Sequence, residues 1–366
     1  MDRGAYAEFG RHFVIGLQPS PDLTDHDKRL LSALKPAGVI LFRANFEQGT
    51  AYDVWLARYE RLIADVALCL ETSHFLLAID HEHGRVFRTP APVTRFAAAR
   101  QWPAQAAAVG AATAVELRSL GINVNFAPVV DVVASGANSP AIGDRAFGSD
   151  PQAVARAALA YIDALQAGGV LACPKHFPGH GDTGVDSHHA LPAVHVPMEV
   201  LRRRELEPFR QVAPHVKLMM TAHIVFDAIE PGVPATLSRR ALTDILRGEI
   251  GYRGAVISDD LGMQAVAPFF ADERAPATAI AAGCDLLEIC AAAADTSRAL
   301  EMASAVARHA REPALMASLA ASRTRVEEFL AGLGPITVRR LSEDVFVRHR
   351  QLAPLHSGTA PSPSPG

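Results

Sequence analysis

The chain has 366 residues, of which 49% are hydrophobic and 20% charged, with a formal net charge of -4. That is apolar material enough for one large core, at a length within the range of α/β barrels with insertions. The charge balance gives no basic footprint for nucleic acid or an anionic membrane, and no apolar run approaches the roughly 20 residues that span a bilayer.

The first residues mix Asp2 and Glu8 with Arg3, and the apolar run at 13–17 is too short for an export signal, so a cytoplasmic protein is expected. Cys69, Cys173, Cys284 and Cys290 sit in apolar segments without metal-type spacing and read as small core residues of a reducing compartment. Eight apolar runs of strand length recur at 13–17, 38–42, 75–79, 124–128, 170–173, 217–220, 255–257 and 285–289. Most are continuous rather than alternating, as parallel strands covered on both faces require. Helical segments are predicted between them over 24–35, 52–70, 104–120, 151–166, 198–212, 238–249 and 275–282. Several close near Gly121, Gly168, Gly251 or Gly283. This alternation predicts a (β/α)8 TIM-type barrel, a single domain over 1–340. A largely disordered tail is expected over 341–366, whose end is rich in Ser, Pro and Gly.

In such a barrel the carboxyl ends of the strands point into the active site. Asp80, Lys175, His176, His223, Asp259 and Asp260 all follow predicted strands, whereas the strand starts carry no comparable cluster. Two connections are long, 131–150 with Gly143-Asp144-Arg145, and 177–197. Within 175–189 lie His176, His180, His188 and His189 with Asp182 and Asp186. Metal ligation, proton transfer and surface hydrogen bonding are all compatible with that spacing.

The run Lys175-His176-Phe177-Pro178-Gly179-His180-Gly181-Asp182-Thr183, followed by Asp186-Ser187-His188, resembles the bacterial β-N-acetylhexosaminidases of glycoside hydrolase family 3. Asp80-His81-Glu82-His83-Gly84-Arg85-Val86, Gly143-Asp144-Arg145-Ala146-Phe147 and Ser258-Asp259-Asp260-Leu261-Gly262-Met263 resemble further landmarks in the family's order, and the likeness spans about 10–330. The resemblance implies that Asp259 is the catalytic nucleophile, His188 the general acid/base and Asp186 its partner. Asp80, Arg88, Arg145, Lys175 and His176 would hold the sugar. The implied substrate is a terminal β-linked N-acetylglucosamine on peptidoglycan fragments, the N-acetylglucosaminyl-anhydro-muropeptides of cell-wall recycling. No cofactor or metal and no macromolecular partner are implied, and a monomer is expected. His83 departs from the pattern, standing where the family usually has a glycine.

These residue types suit the chemistry. Retaining glycoside hydrolysis needs a carboxylate that attacks the anomeric carbon and a second group that protonates the leaving oxygen and then deprotonates water. Asp259 ends an apolar strand, while Asp260 should point elsewhere because neighbours near a strand end alternate. An imidazole at His188, two residues from a carboxylate, can give and take a proton near neutral pH, and its loop is expected to close over the sugar. Plainer roles stand beside these: Glu82 pairing with Arg85 as scaffold, Arg145 tied to Asp144 or Asp150, and His180 and Asp182 bracing their loop. Rival functions are a metal-dependent barrel hydrolase using the histidine cluster, a phosphorylase on the same scaffold, and a non-catalytic glycan sensor.

Overall fold

The computed structural model of the chain describes residues 8–134, 139–183, 191–291 and 295–357. Its elements begin with strand β1 (Phe13–Gly16), helix α1 (Asp25–Leu34), β2 (Gly38–Leu41), α2 (Tyr52–Leu70), β3 (Leu76–Ile79), α3 (Ala106–Ser119), β4 (Val124–Asn125), α4 (Pro151–Ala167) and β5 (Leu171–Ala172). Then come β6 (Ala193–Val194), α5 (Met198–Arg203), α6 (Leu206–Val212), β7 (Leu218–Met220), β8 (Val225–Phe226), β9 (Ala255–Ile257), α7 (Ala275–Ala282), β10 (Leu287–Cys290), α8 (Arg298–His309), α9 (Pro313–Ala331) and α10 (Glu343–His349).

All eight predicted strands form, and all pair in parallel. Six of them run β10-β1-β2-β3-β4-β5, and β7 pairs with β9. Parallel bridges Phe177↔Thr221 and Ile257↔Leu286 join the two groups, so the ring closes into a barrel. Alternate strand residues such as Val14, Ile40, Ala78, Met220, Ile257 and Cys290 fill the interior, and Phe329, Leu330 and Leu333 pack against them. The intervening set, including Phe13, Ile15, Val39 and Val256, faces the helical layer. Burial on both faces is why these strands read as continuous apolar runs.

Local signals place the helices. Thr24 caps α1 in a reciprocal box, its hydroxyl accepting from Asp27 N at 3.1 Å while Asp27 accepts from Thr24 N at 3.2 Å. Asp150 caps α4 ahead of Pro151.

Three expectations are corrected. The helix predicted over 198–212 breaks into α5 and α6, because Pro208 has no N–H to give the Arg204 carbonyl, and the Arg204 side chain bonds Asp182 and Glu205, both at 2.5 Å. The helix predicted over 238–249 winds with π-type bonds over Arg240–Glu249. The tail expected over 341–366 is folded as far as it is described. Phe346 on α10 is buried, with its ring edge-on to Tyr52 at 5.6 Å, and Leu355 bridges Phe96. A buried aromatic and a backbone bridge are among the contacts that dock a segment whose composition alone reads as a tail.

Candidate active site

The strand ends at one mouth of the barrel carry a buried run of alternating charges. Lys175, just past β5, places Nζ 2.5 Å from Asp80 Oδ1 and 2.6 Å from Glu82 Oε1. Arg145 grips the same Glu82 carboxylate through Nε at 2.7 Å and Nη2 at 2.8 Å. Arg88 lies 3.9 Å from Asp80 Oδ2, with its guanidinium over the Phe42 ring. Burial by itself would raise the Glu82 pKa, but Arg145 and Lys175 outweigh it and hold this carboxyl well below the usual range. Burial likewise opposes the Lys175 charge, and Asp80 with Glu82 overrides it, raising the ammonium's pKa. Glu82 therefore pairs with Lys175 and Arg145 rather than with Arg85, which donates instead to backbone carbonyls of 140–142. Arg145 is tied to neither Asp144 nor Asp150 among its described contacts.

His176 is held by a residue that sequence reasoning did not single out. Asp131, fully buried beyond β4, accepts from His176 Nδ1 at 2.7 Å, His176 N at 3.2 Å and His180 N at 2.8 Å. A carboxylate only accepts, so Nδ1 carries the proton. Nε2 then faces Arg145 Nη2 at 3.5 Å. The available signal was a lone carboxylate in the apolar run Val129-Val130-Asp131-Val132-Val133 after a strand. Gly181 lets the following loop cross this segment, since a Cβ there would lie 2.0 Å from Val132 O.

Asp259 follows β9 and accepts from Asp260 N at 2.9 Å. Burial would raise its pKa, yet His176, His223, the Asp260 N–H and Lys175 together lower it, so the carboxyl is held ionised and shares its space with these groups. Asp260 turns away: Oδ1 accepts from Gly262 N at 2.8 Å and Cys290 N at 3.0 Å, bracing the strand end against β10. His223 is buried and binds Thr236 Oγ1 through Nδ1 at 2.9 Å and Asp260 O through Nε2 at 3.1 Å. A carbonyl cannot donate, so Nε2 carries the proton; burial lowers this ring's pKa despite the nearby Asp259. Behind Asp259, Glu288 points into the barrel in register with Val14, and its Oε2 is buried without a hydrogen-bond partner.

His188 and Asp186, with His189, lie outside the described residues. The flanks of their loop are pinned. His180 Nδ1 bonds Thr183 Oγ1 at 2.7 Å, Asp182 bonds Arg204, and β6 pairs with β8 just past His223. His176, His180 and Asp182 thus have protein partners, and among the described residues no group of three His, Cys, Asp or Glu side chains is arranged to hold a metal ion. His83, where the sequence resemblance implies a glycine, has φ +68° and donates from Nε2 to Thr113 Oγ1 at 2.8 Å, because that hydroxyl gives its own hydrogen to Val109 O. Trp55 and Trp102 are buried with their N–H groups on Ala91 O and Ala97 O.

A closed parallel barrel with a carboxylate at one strand end and the buried cations Lys175 and Arg145 following other strands has the parts a barrel glycoside hydrolase needs. Residues 15–328 match the model of the glycosyl hydrolase family 3 N-terminal domain, and the chain belongs to that family. Over 289 residues it is 38% identical to a β-hexosaminidase of Alkalilimnicola ehrlichii, covering 76% of this chain and 80% of that one. A β-hexosaminidase of Chromobacterium violaceum is 36% identical over 73% of this chain and 75% of its own length. Among solved structures, a family 3 β-N-acetylglucosaminidase from Paenibacillus superposes with a TM-score of 0.80 at 31% identity, covering 95% of this chain and 68% of that one. NagZ from Neisseria gonorrhoeae, solved in complex with N-trifluoroacetyl-D-glucosamine, gives 0.67 at 30% identity, covering 86% and 98%. No described helix is long and apolar enough to cross a membrane.

Proposed function

We propose that the protein is a retaining exo-β-N-acetylglucosaminidase that removes terminal β-linked N-acetylglucosamine from peptidoglycan fragments in the cytoplasm, with N-acetylglucosaminyl-anhydro-muropeptides as substrates. Asp259 attacks the anomeric carbon while His188, oriented by Asp186, gives its proton to the departing oxygen. The bond to the aglycone breaks and a glycosyl ester on Asp259 forms. His188 then takes a proton from water, whose oxygen displaces Asp259 from the anomeric carbon. Asp80, Arg88, Arg145, Lys175 and His176 hold the sugar's hydroxyl and acetamido groups. The observation that carries this reading is the placement of Asp259 at the end of β9, where its neighbour Asp260 is turned away onto Gly262 N and Cys290 N and leaves Asp259 as the available strand-end carboxylate of that pair.

The test is incubation with a 5-fluoro N-acetylglucosaminide bearing a good leaving group, followed by peptide mapping. A sugar adduct on the Asp259 peptide is expected. Turnover with no adduct on any peptide would move the nucleophile to the substrate's own acetamido group. His188→Ala should harm substrates with poor leaving groups far more than activated ones, and equal losses would remove His188 from proton transfer.

A further inference from the structure

The segment after α9 returns to the barrel mouth. Leu341 N donates to Tyr52 Oη at 3.1 Å, Phe346 is buried against Tyr52, and His349 Nδ1 donates to Glu116 Oε1 at 2.6 Å. Glu116, on α3 and 3% exposed, also accepts from Thr94 N at 2.6 Å and Thr94 Oγ1 at 2.7 Å. One buried carboxylate thus joins the last helix to the stretch 92–97. Beyond α10 one side-chain bond and two backbone bonds reach the stretch 92–97. Arg350 Nη2 reaches Pro92 O at 3.1 Å, Ala97 N donates to Pro354 O at 2.7 Å, His356 N donates to Arg95 O at 3.1 Å, and Phe96 bridges Leu355.

The other edge of 92–97 faces the sugar-binding turn. Gly84 N donates to Phe96 O at 3.0 Å, and Arg95 returns two bonds to Gly84 O at 2.9 and 2.7 Å. The His83 ring stands edge-on to Phe96 at 5.0 Å. Glu82 N to Val86 O and Val86 N to His83 O, both 3.0 Å, close the turn between Asp80 and Arg88. The backbone groups of residues 95 and 97 therefore bond the C-terminal segment while that of residue 96 bonds the turn, the alternation of an extended middle strand.

We propose that residues 341–357 form a strap that positions the sugar-binding turn 80–88, with Glu116 and His349 as its clasp. The strap acts through 92–97 and touches no substrate, so Glu116 and His349 are positioning residues. The inference rests on the reading of Asp80 and Arg88 as sugar-holding groups and goes beyond it in giving the C-terminal segment a part in recognition. A glycon held by a few groups is sensitive to displacements well under 1 Å, and pinning 92–97 on both edges removes that freedom.

The experiment compares the full chain with His349→Ala, His349→Gln and a chain ended after Arg340. It reads KM and kcat on 4-nitrophenyl N-acetyl-β-D-glucosaminide, affinity for free N-acetylglucosamine, and amide hydrogen exchange over 82–97. His349→Ala should raise KM and weaken sugar binding roughly tenfold, leave kcat within about twofold and speed exchange at Gly84 and Ala97. His349→Gln, whose amide N–H can reach Glu116, should recover most of the loss, which a general loss of stability would not explain. Faster exchange with unchanged KM and sugar affinity would overturn the positioning role, as would no change in exchange. If the truncated chain does not fold, the two point variants decide. A wild type that binds the sugar without hydrolysing the glucosaminide would sink the hydrolase reading and leave the strap to the binding and exchange measurements; one that neither binds nor turns over would sink both.

Discussion

Asp131→Asn is the sharpest perturbation of the site, because the amide keeps the shape of the carboxylate and changes one property. In the wild type, Asp131 Oδ1 takes His176 N and His180 N, and Oδ2 takes the proton of His176 Nδ1. An asparagine must keep its carbonyl oxygen toward the two backbone N–H groups, so its NH2 turns to Nδ1, donor against donor. The imidazole can escape only by moving its proton to Nε2, which then points an N–H at the Arg145 guanidinium 3.5 Å away. Either outcome removes a charge-assisted bond worth about 1.5–3 kcal/mol. At about 1.4 kcal/mol per decade that is a fall of roughly 10- to 150-fold in kcat/KM. Stability should fall by no more than about the same 1.5–3 kcal/mol, since both backbone donors stay satisfied. Asp131→Ala instead orphans three buried donors and should cost roughly 3 kcal/mol or more. Steady-state kinetics on an aryl N-acetyl-β-D-glucosaminide and urea unfolding of both variants give the two readouts. An Asp131→Asn enzyme within twofold of wild type would refute the claim that Asp131 sets the face His176 presents to the sugar.

Glu82 has its folded pKa depressed by Arg145 and Lys175 against the pull of burial, so its contribution is fully present above the unfolded value near 4.5 and is lost as pH falls toward the folded one. Unfolding free energy should drop between about pH 5 and 2 with a slope shallower in Glu82→Gln by up to about 1.4 kcal/mol per pH unit; identical slopes would contradict the pairing. At pH 7 the same variant should lose about 3–5 kcal/mol, because two buried cations lose their shared partner. Glu288 has the opposite sign: burial, then Asp80, Asp260 and Asp259, raise its pKa. Above about pH 4.5 only the unfolded chain releases this proton, so the wild type is destabilised as pH rises. Glu288→Leu should therefore stabilise by roughly 1–3 kcal/mol at pH 8, with a smaller gain at pH 4, and a gain that does not depend on pH would count against a neutral buried acid. For His83→Gly, relief of the left-handed backbone returns about 1 kcal/mol, whereas loss of a buried ring packed on Phe96 and Trp102 costs about 3 kcal/mol or more. The variant should be less stable by about 2 kcal/mol, and a melting temperature equal to or above wild type would show that the family glycine is the better residue here.

Continuous apolar runs were enough to locate every barrel strand, since a parallel strand covered on both faces leaves few polar positions, here Asn125 and Glu288, to blur the pattern. Polar residues at the strand ends were enough to place Asp80, Lys175, His176 and Asp259 at one mouth, because a closed barrel sends all its strand ends the same way. Which of these charges meet was decided only in three dimensions. Lys175 bonds Asp80 across 95 positions, and His176 takes its orientation from Asp131 across 45. The same holds for Glu288, a polar residue inside an apolar run until the barrel closes and turns it inward toward three carboxylates. It holds for α10 as well, seven residues whose place depends on Tyr52 and Glu116 far upstream. Periodicity and strand direction are local properties of the backbone and can be read along the chain. The partners of buried charges and the docking of a short terminal helix depend on surfaces that exist only after the ring of strands has closed.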